Sequence, residues 1–204
     1  MDPEEHNPVL NGPSGTRTVG IVLAGGAGRR FGGPKGLARD GDGVPWVQLA
    51  CRALLDGGCR DVVVVLGARA REAEELVPAG ATSVIAADWA SGIAASLRTG
   101  LAAVAETAAD AAVVSLVDLP GLRADAVRRV LGTVPEPDAA RHVLARAVYD
   151  GRPGHPVLVG RAHWRPLAAA VHGDIGAGPY LRTHGAAAVD CTDLGGGDDV
   201  DHGR

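Results

Sequence analysis

Gly25, Gly26 and Gly28, followed by Arg29, Arg30 and Lys35, make up a short stretch whose residue types are suited to holding an anion. The apolar run Gly20-Ile21-Val22-Leu23-Ala24 reads as a buried strand, and it breaks directly into glycines that let the backbone turn tightly and approach a ligand. Backbone N–H groups freed by such a turn form an anion-binding concavity, and three cationic side chains lie within one loop of it. Polyphosphate suits that chemistry. A P-loop is excluded because Lys35 follows Pro34 and precedes Gly36, and the dinucleotide fingerprint starting at Gly26 and Gly28 meets Phe31 where its third glycine belongs. An ordinary Gly-rich turn with solvated arginines is the plain alternative.

Four other positions carry candidate chemistry. Asp118, after Ser115-Leu116-Val117 and before Leu119-Pro120, is either a turn cap or a hard-oxygen ligand for Mg²⁺ shared with substrate phosphates. Ser91 and Gly92 can open a helix whose free N–H groups face a phosphate or base, or Ser91 is a simple N-cap. His155, before Pro156, is a ligand contact or a turn histidine, with no spacing to Ser or Asp that makes a triad. Asp174 reads as a helix cap.

The elements that must position these residues alternate in type. After the first strand and a turn at Gly41-Asp42-Gly43, Val44-Pro45-Trp46 opens a helix predicted to run through about Asp56, stopped by Gly57-Gly58. Asp61 to Leu66 is a strand of continuous hydrophobicity, as in a parallel sheet covered on both faces. A helix over 69–77, a strand over 83–87, a helix over 92–106, a strand over 112–117 and a helix over 123–131 follow. This is an α/β, doubly wound, mostly parallel sheet with right-handed crossovers. In such sheets ligands bind beyond the carboxyl ends of the strands, where the glycine loop, Ser91 and Asp118 all fall. Past the loop at Pro135 to Asp138, extended segments over 143–149 and 156–159 predict a small antiparallel excursion. A short helix ending near His184 and a last strand over 187–191 complete the pattern.

With 204 residues the chain suffices for one sizeable domain, expected over 18–201 between a flexible tail over 1–17 and a C-terminal tail over 202–204. A net charge of −4 argues against nucleic acid or an anionic membrane as partner, so the basic loop is local. Cys51, Cys59 and Cys191 lack metal-ligand spacing and read as reduced thiols. No apolar run reaches the length of a membrane span, and the first residues lack a secretory core; a cytoplasmic protein is expected.

The loop resembles the signature Leu-Ala-(Gly/Ala)-Gly-x-x-x-Arg-(Met/Phe)-Gly-x-x-Lys of the molybdenum-cofactor cytidylyltransferase-like, or MobA-like, nucleotidyltransferases. Leu23, Ala24, Gly25, Gly26, Arg30, Phe31, Gly32 and Lys35 match it. Further similarity lies in Gly92-Ile93-x-x-Ser96-Leu97, Asp118-x-Pro120, the Tyr149 to Pro156 segment with Gly-His-Pro, and Gly173-Asp174-x-Gly176-Ala177. The resemblance implies a Rossmann-like fold of nucleotide-diphospho-sugar transferase type and transfer of a nucleoside monophosphate from an NTP to a phosphorylated acceptor, with pyrophosphate released. It implies catalytic roles for Arg30, Lys35 and Asp118, and nucleotide contacts from Leu23, Ala24, Gly25, Gly26, Gly28, Ser91, Gly92 and Ser96. His155 and Asp174 would face the acceptor, a molybdopterin-type cofactor handed on to a transient molybdoenzyme partner. Mg²⁺ would rest on Asp118 and a second carboxylate, Asp201 before Asp199. Gly25 is the guanylyl-type choice, whereas the other motifs are cytidylyl-type, which ranks CTP ahead of GTP. The family's Thr-Pro-Glu-Asp segment after Asp-Ile-Asp is not matched beyond Asp201. A sugar- or alditol-phosphate nucleotidyltransferase and a noncatalytic nucleotide-binding or cofactor-binding module are the alternatives.

Overall fold

A computed structural model of the chain describes residues 15–134 and 136–201. Of the expected tails, residues 1–14 and 202–204 lie outside the described residues, as does Pro135 of the predicted loop. The elements are β1 (Thr18–Ala24), α1 (Trp46–Asp56), β2 (Asp61–Leu66), α2 (Ala70–Glu74), β3 (Ala81–Ile85), α3 (Ile93–Ala105) and β4 (Ala111–Leu116), then α4 (Ala124–Leu131), β5 (Leu144–Tyr149), β6 (Arg152–Gly160), α5 (Arg161–Ala170), α6 (Gly178–Thr183) and β7 (Ala187–Asp190).

The seven strands form one sheet in the order β3-β2-β1-β4-β6-β5-β7. β6 is antiparallel to both neighbours, β4 and β5, and every other pairing is parallel. The expected doubly wound sheet with an antiparallel excursion is therefore what the chain forms. Alternation along β1 separates two cores. Val22 and Ala24 pack with Val47 and Leu54 of α1 and Val127 of α4, while Ile21 and Leu23 pack with Leu101 of α3, Leu167 of α5 and Leu181 of α6. Both faces are covered, which is why β1, β2 and β4 are almost wholly apolar, with Ser115 of β4 a buried polar exception.

Two elements differ from expectation. The helix α5 is not foreseen because Pro166 lies inside it and reads as a breaker. Tertiary contacts hold it instead: the Trp164 indole donates to the Val159 carbonyl at 2.9 Å, and Trp164 and Leu167 are buried. The Arg161 guanidinium donates to the carbonyls of Ala105, Thr107 and Ala109 at 2.6 to 2.8 Å, satisfying the C-terminal end of α3. β6 begins at Arg152 rather than Pro156. A register shift between Arg146 and Val148 of β5 lets the strand run through Pro153 and Pro156.

Candidate functional site

The first strand delivers the glycine loop to the carboxyl edge of the sheet. Inside the loop the Gly28 carbonyl accepts from the N–H groups of Gly32 and Gly33 at 3.0 and 3.1 Å. Gly28 has φ +58°, and a Cβ there would lie 1.8 Å from the Gly33 oxygen, so the turn admits no side chain. Phe31 packs on Trp46 at the start of α1, ring centroids 5.2 Å apart, and pins the loop to the core. A 3₁₀ turn over Lys35–Leu37 then carries Lys35 back beneath the glycines.

Lys35 Nζ donates to Asp118 Oδ2 and to Asp201 Oδ1, each at 3.0 Å. Partial burial pulls the ammonium pKa down, but hydrogen bonds and charge from the two carboxylates outweigh it, and the net shift is upward. Asp118 stands just past the end of β4. Asp201 arrives on a glycine strap whose Gly196 passes against Gly121 and whose Gly197 lies on the Tyr149 ring, and the Val200 N–H donates to the Asp118 carbonyl at 3.0 Å.

A cleft of about 450 Å³ joins these groups, lined by Leu23, Gly25, Gly26, Gly28, Arg30, Lys35, Gly92, Ser96, Asp118, Asp174 and Asp201. Arg29, Trp89 and Ile93 line it as well. Arg29 and Arg30 are exposed cations at the rim.

Three of the resemblance-derived residues fall elsewhere. Ala24 is buried in the α1/α4 core, its side chain on the far face of the sheet. Ser91 is exposed on a 3₁₀ turn and does not cap α3; Gly92 occupies the cap position, and Ser91 is off the cleft lining. His155 lines a separate apolar cavity of about 160 Å³, together with Leu97, Arg146 and Leu167. Asp174 is not the cap of α6, which starts after Ala177; it faces the cleft. Trp89 and Arg146 escaped sequence reasoning. Trp89 sits in a stretch read for its Ser and Gly, and Arg146 in a strand read for its hydrophobicity.

Asp118, Asp199 and Asp201 each bring a carboxylate oxygen within 4.8 Å of the other two. The second Asp118 oxygen, Oδ1, is buried with no hydrogen-bond partner, a state that costs about 1–3 kcal/mol unless a ligand completes it. An all-carboxylate set of hard oxygens facing a phosphate loop fits Mg²⁺ or Mn²⁺.

A phosphate loop and an acidic trio across the mouth of a mostly parallel sheet define an NTP-using transferase. The chain belongs to the MobA-like NTP transferase domain family, which it matches over residues 20–188. It is 37% identical over 200 residues to the nicotine blue oxidoreductase of Paenarthrobacter nicotinovorans, covering 90% of this chain and 91% of that protein. The crystal structure of Rv0371c from Mycobacterium tuberculosis aligns with a TM-score of 0.73 at 27% identity, over 92% and 94% of the two chains. Its complex with manganese aligns at 0.67 and 24%, over 86% and 87%. A nucleotidyl transferase from Methanothermobacter shares the fold, with a TM-score of 0.76 at 21% identity over 92% and 93%. The protein is a nucleotidyltransferase. Among the described residues no helix is long and apolar enough to cross a membrane.

Proposed function

We propose that the chain transfers a nucleoside monophosphate from an NTP, CTP ahead of GTP, to a phosphorylated acceptor of molybdopterin type, with Mg²⁺ as cofactor. The observation that carries this reading is the Lys35 ammonium held between Asp118 and Asp201 under the glycine loop. The upward pKa shift keeps Lys35 charged at neutral pH, ready to pair with phosphate oxygens. Arg30 brings a second cation from the rim, and the backbone of residues 25 to 28 offers N–H donors. Asp118 and Asp201, with Asp199 as a third donor, would hold Mg²⁺, which when bound neutralises phosphate charge and polarises a phosphoryl oxygen.

A phosphate monoester is already largely anionic at neutral pH, so the acceptor needs positioning more than a general base. One of its oxygens forms the new bond to the α-phosphorus as the bond to pyrophosphate breaks. On this reading Asp174 on the cleft wall, and His155 in the adjoining cavity, would serve the acceptor side. The preference for CTP rests on the resemblance of the Ser96, Gly-His-Pro and Gly173-Asp174-x-Gly176-Ala177 motifs. Protein, Mg²⁺, each NTP and a molybdopterin or sugar-phosphate acceptor are mixed and pyrophosphate is followed. Release that requires Lys35 and is fastest with CTP supports the proposal; no release with any NTP overturns it.

A second reading has one specific observation behind it, the 37% identity to a protein named as an oxidoreductase. The loop lacks the third glycine of the dinucleotide fingerprint, but its N–H groups and cations also suit a pyrophosphate, and a reduced nicotinamide dinucleotide held there would be oxidised as it passes hydride to an acceptor. Loss of NADH or NADPH absorbance with a dye acceptor, without pyrophosphate release, selects this reading.

A further inference from the structure

The smaller cavity has an unusual lining. Its walls are mainly aliphatic, from Leu97, Val114, Val157 and Leu167 among others, yet one cation, Arg146, and one imidazole, His155, face into it. Arg146 Nε is buried with no hydrogen-bond partner, and its guanidinium has one contact, a long 3.4 Å bond from a terminal nitrogen to the Gly154 carbonyl. Among the described residues no carboxylate forms an ion pair with Arg146, and the charge that acts on it is a second cation, Arg182. A half-buried guanidinium in apolar surroundings beside a like charge is costly, and an anion is the partner that relieves it. The His155 ring makes no hydrogen bond within the described protein, and burial, then the Arg146 charge, hold it neutral with a pKa lowered to about 4. It is therefore a polar contact that competes for no anion.

Size and position narrow the guest. A dry apolar cavity of about 150 Å³ holds one benzene ring, and this one is about 160 Å³. Leu23, Ile93 and Leu116 line both this cavity and the phosphate cleft, so a ring seated here lies next to the triphosphate site.

We propose that this cavity is the subsite for the acceptor's apolar end, taking a single flat ring, or an apolar group of that size, with an anionic oxygen paired to Arg146. The assignment to an acceptor rests on the nucleotidyltransferase reading above; the binding of an anionic ring does not. Carboxylate and phosphate share the chemistry that Arg146 recognises.

Fluorine NMR tests it, with fluorobenzoate as probe, neutral fluorobenzamide as its isostere and phenyl phosphate as competitor. Expected is binding of fluorobenzoate at least about tenfold tighter than fluorobenzamide, loss of that preference in Arg146→Met and its partial return in Arg146→Lys. Competition by phenyl phosphate shows that the subsite takes a phosphate as well as a carboxylate, and its absence that it takes a carboxylate alone. Ala177→Leu, which narrows the cavity and leaves Arg146 in place, should weaken both aromatic probes. A thermal midpoint checks each variant's fold, and nucleotide affinity is read without acceptor. Equal affinity for benzoate and benzamide, or a preference that survives Arg146→Met, overturns the proposal. If pyrophosphate release fails while Arg146-dependent benzoate binding remains, the transferase reading falls and the anionic-ring site stands.

Discussion

Lys35 and Asp118, 83 residues apart in the chain, meet at 3.0 Å with their side chains only 13% and 21% exposed. The ammonium occupies the centre of an acidic group that also includes Asp201, so it neutralises those carboxylates itself and stands ready to exchange them for phosphate oxygens.

Replacing Lys35 separates these two duties. In Lys35→Ala the carboxylates lose their internal cation, so Mn²⁺ should bind the nucleotide-free protein more tightly, by roughly tenfold, as read by paramagnetic resonance. Pyrophosphate release should fall by about 100-fold or more. Unchanged release would remove Lys35 from the chemistry.

The strap that brings Asp201 depends on one glycine. Gly196 has φ +77°, and a Cβ there would lie 2.0 Å from the Gly121 oxygen. Gly196→Ala should weaken Mn²⁺ binding at least about tenfold while the core stays folded. Gly195→Ala is the control: φ +64° is strained in the same sense, at roughly 1–2 kcal/mol, but nothing lies within 4 Å of the added carbon. Equal effects of the two changes would mean that strain, not collision, governs the strap.

His155 makes stability depend on pH. The unfolded chain binds a proton at this imidazole near pH 6.5, whereas in the fold burial and Arg146 lower its pKa to about 4. Its contribution is complete above pH 6.5 and is lost as pH falls toward 4, up to about 3 kcal/mol. Denaturation of His155→Gln beside the parent should show a shallower loss over that interval. Parallel curves would place the imidazole in contact with solvent.

Arg161 should matter to α3 more than to its own helix. Its guanidinium serves the last carbonyl of α3, at Ala105, and those of Thr107 and Ala109 just beyond it, and stacks on Trp164, 5.0 Å from the ring. Arg161→Met keeps the aliphatic stem but removes the donors, and should cost about 1–3 kcal/mol, seen as a lower Tm and faster amide exchange near Ala105. Exchange unchanged there would assign the carbonyls to water.

How legible was this molecule in its sequence? β1, β2 and β4 are almost wholly apolar and the glycine loop follows one of them, so the parallel half of the sheet and its loop edge could be read directly. The antiparallel half could not be read as fully: Pro153 and Pro156 hide a nine-residue strand that a register shift accommodates, and Pro166 hides a helix held by Trp164 and Arg161. Lys35, Asp118 and Asp201 were each legible, from the loop, the strand end and the family resemblance. That they share one cleft was expected too; the direct ion pairs from Lys35 to both carboxylates were not, since they depend on how the strap crosses Gly121. Arg146 stayed hidden because strand periodicity says which face a residue takes and nothing about the cavity beneath it.

The glycine strap also sets an order of events during synthesis. A ribosome feeds out the phosphate loop and Lys35 well over a hundred codons before the last carboxylate, 166 positions downstream of that lysine. On the reading proposed above, a half-made chain carries the glycine loop without its full set of carboxylates, and the candidate site is complete only when the strap closes over Gly121.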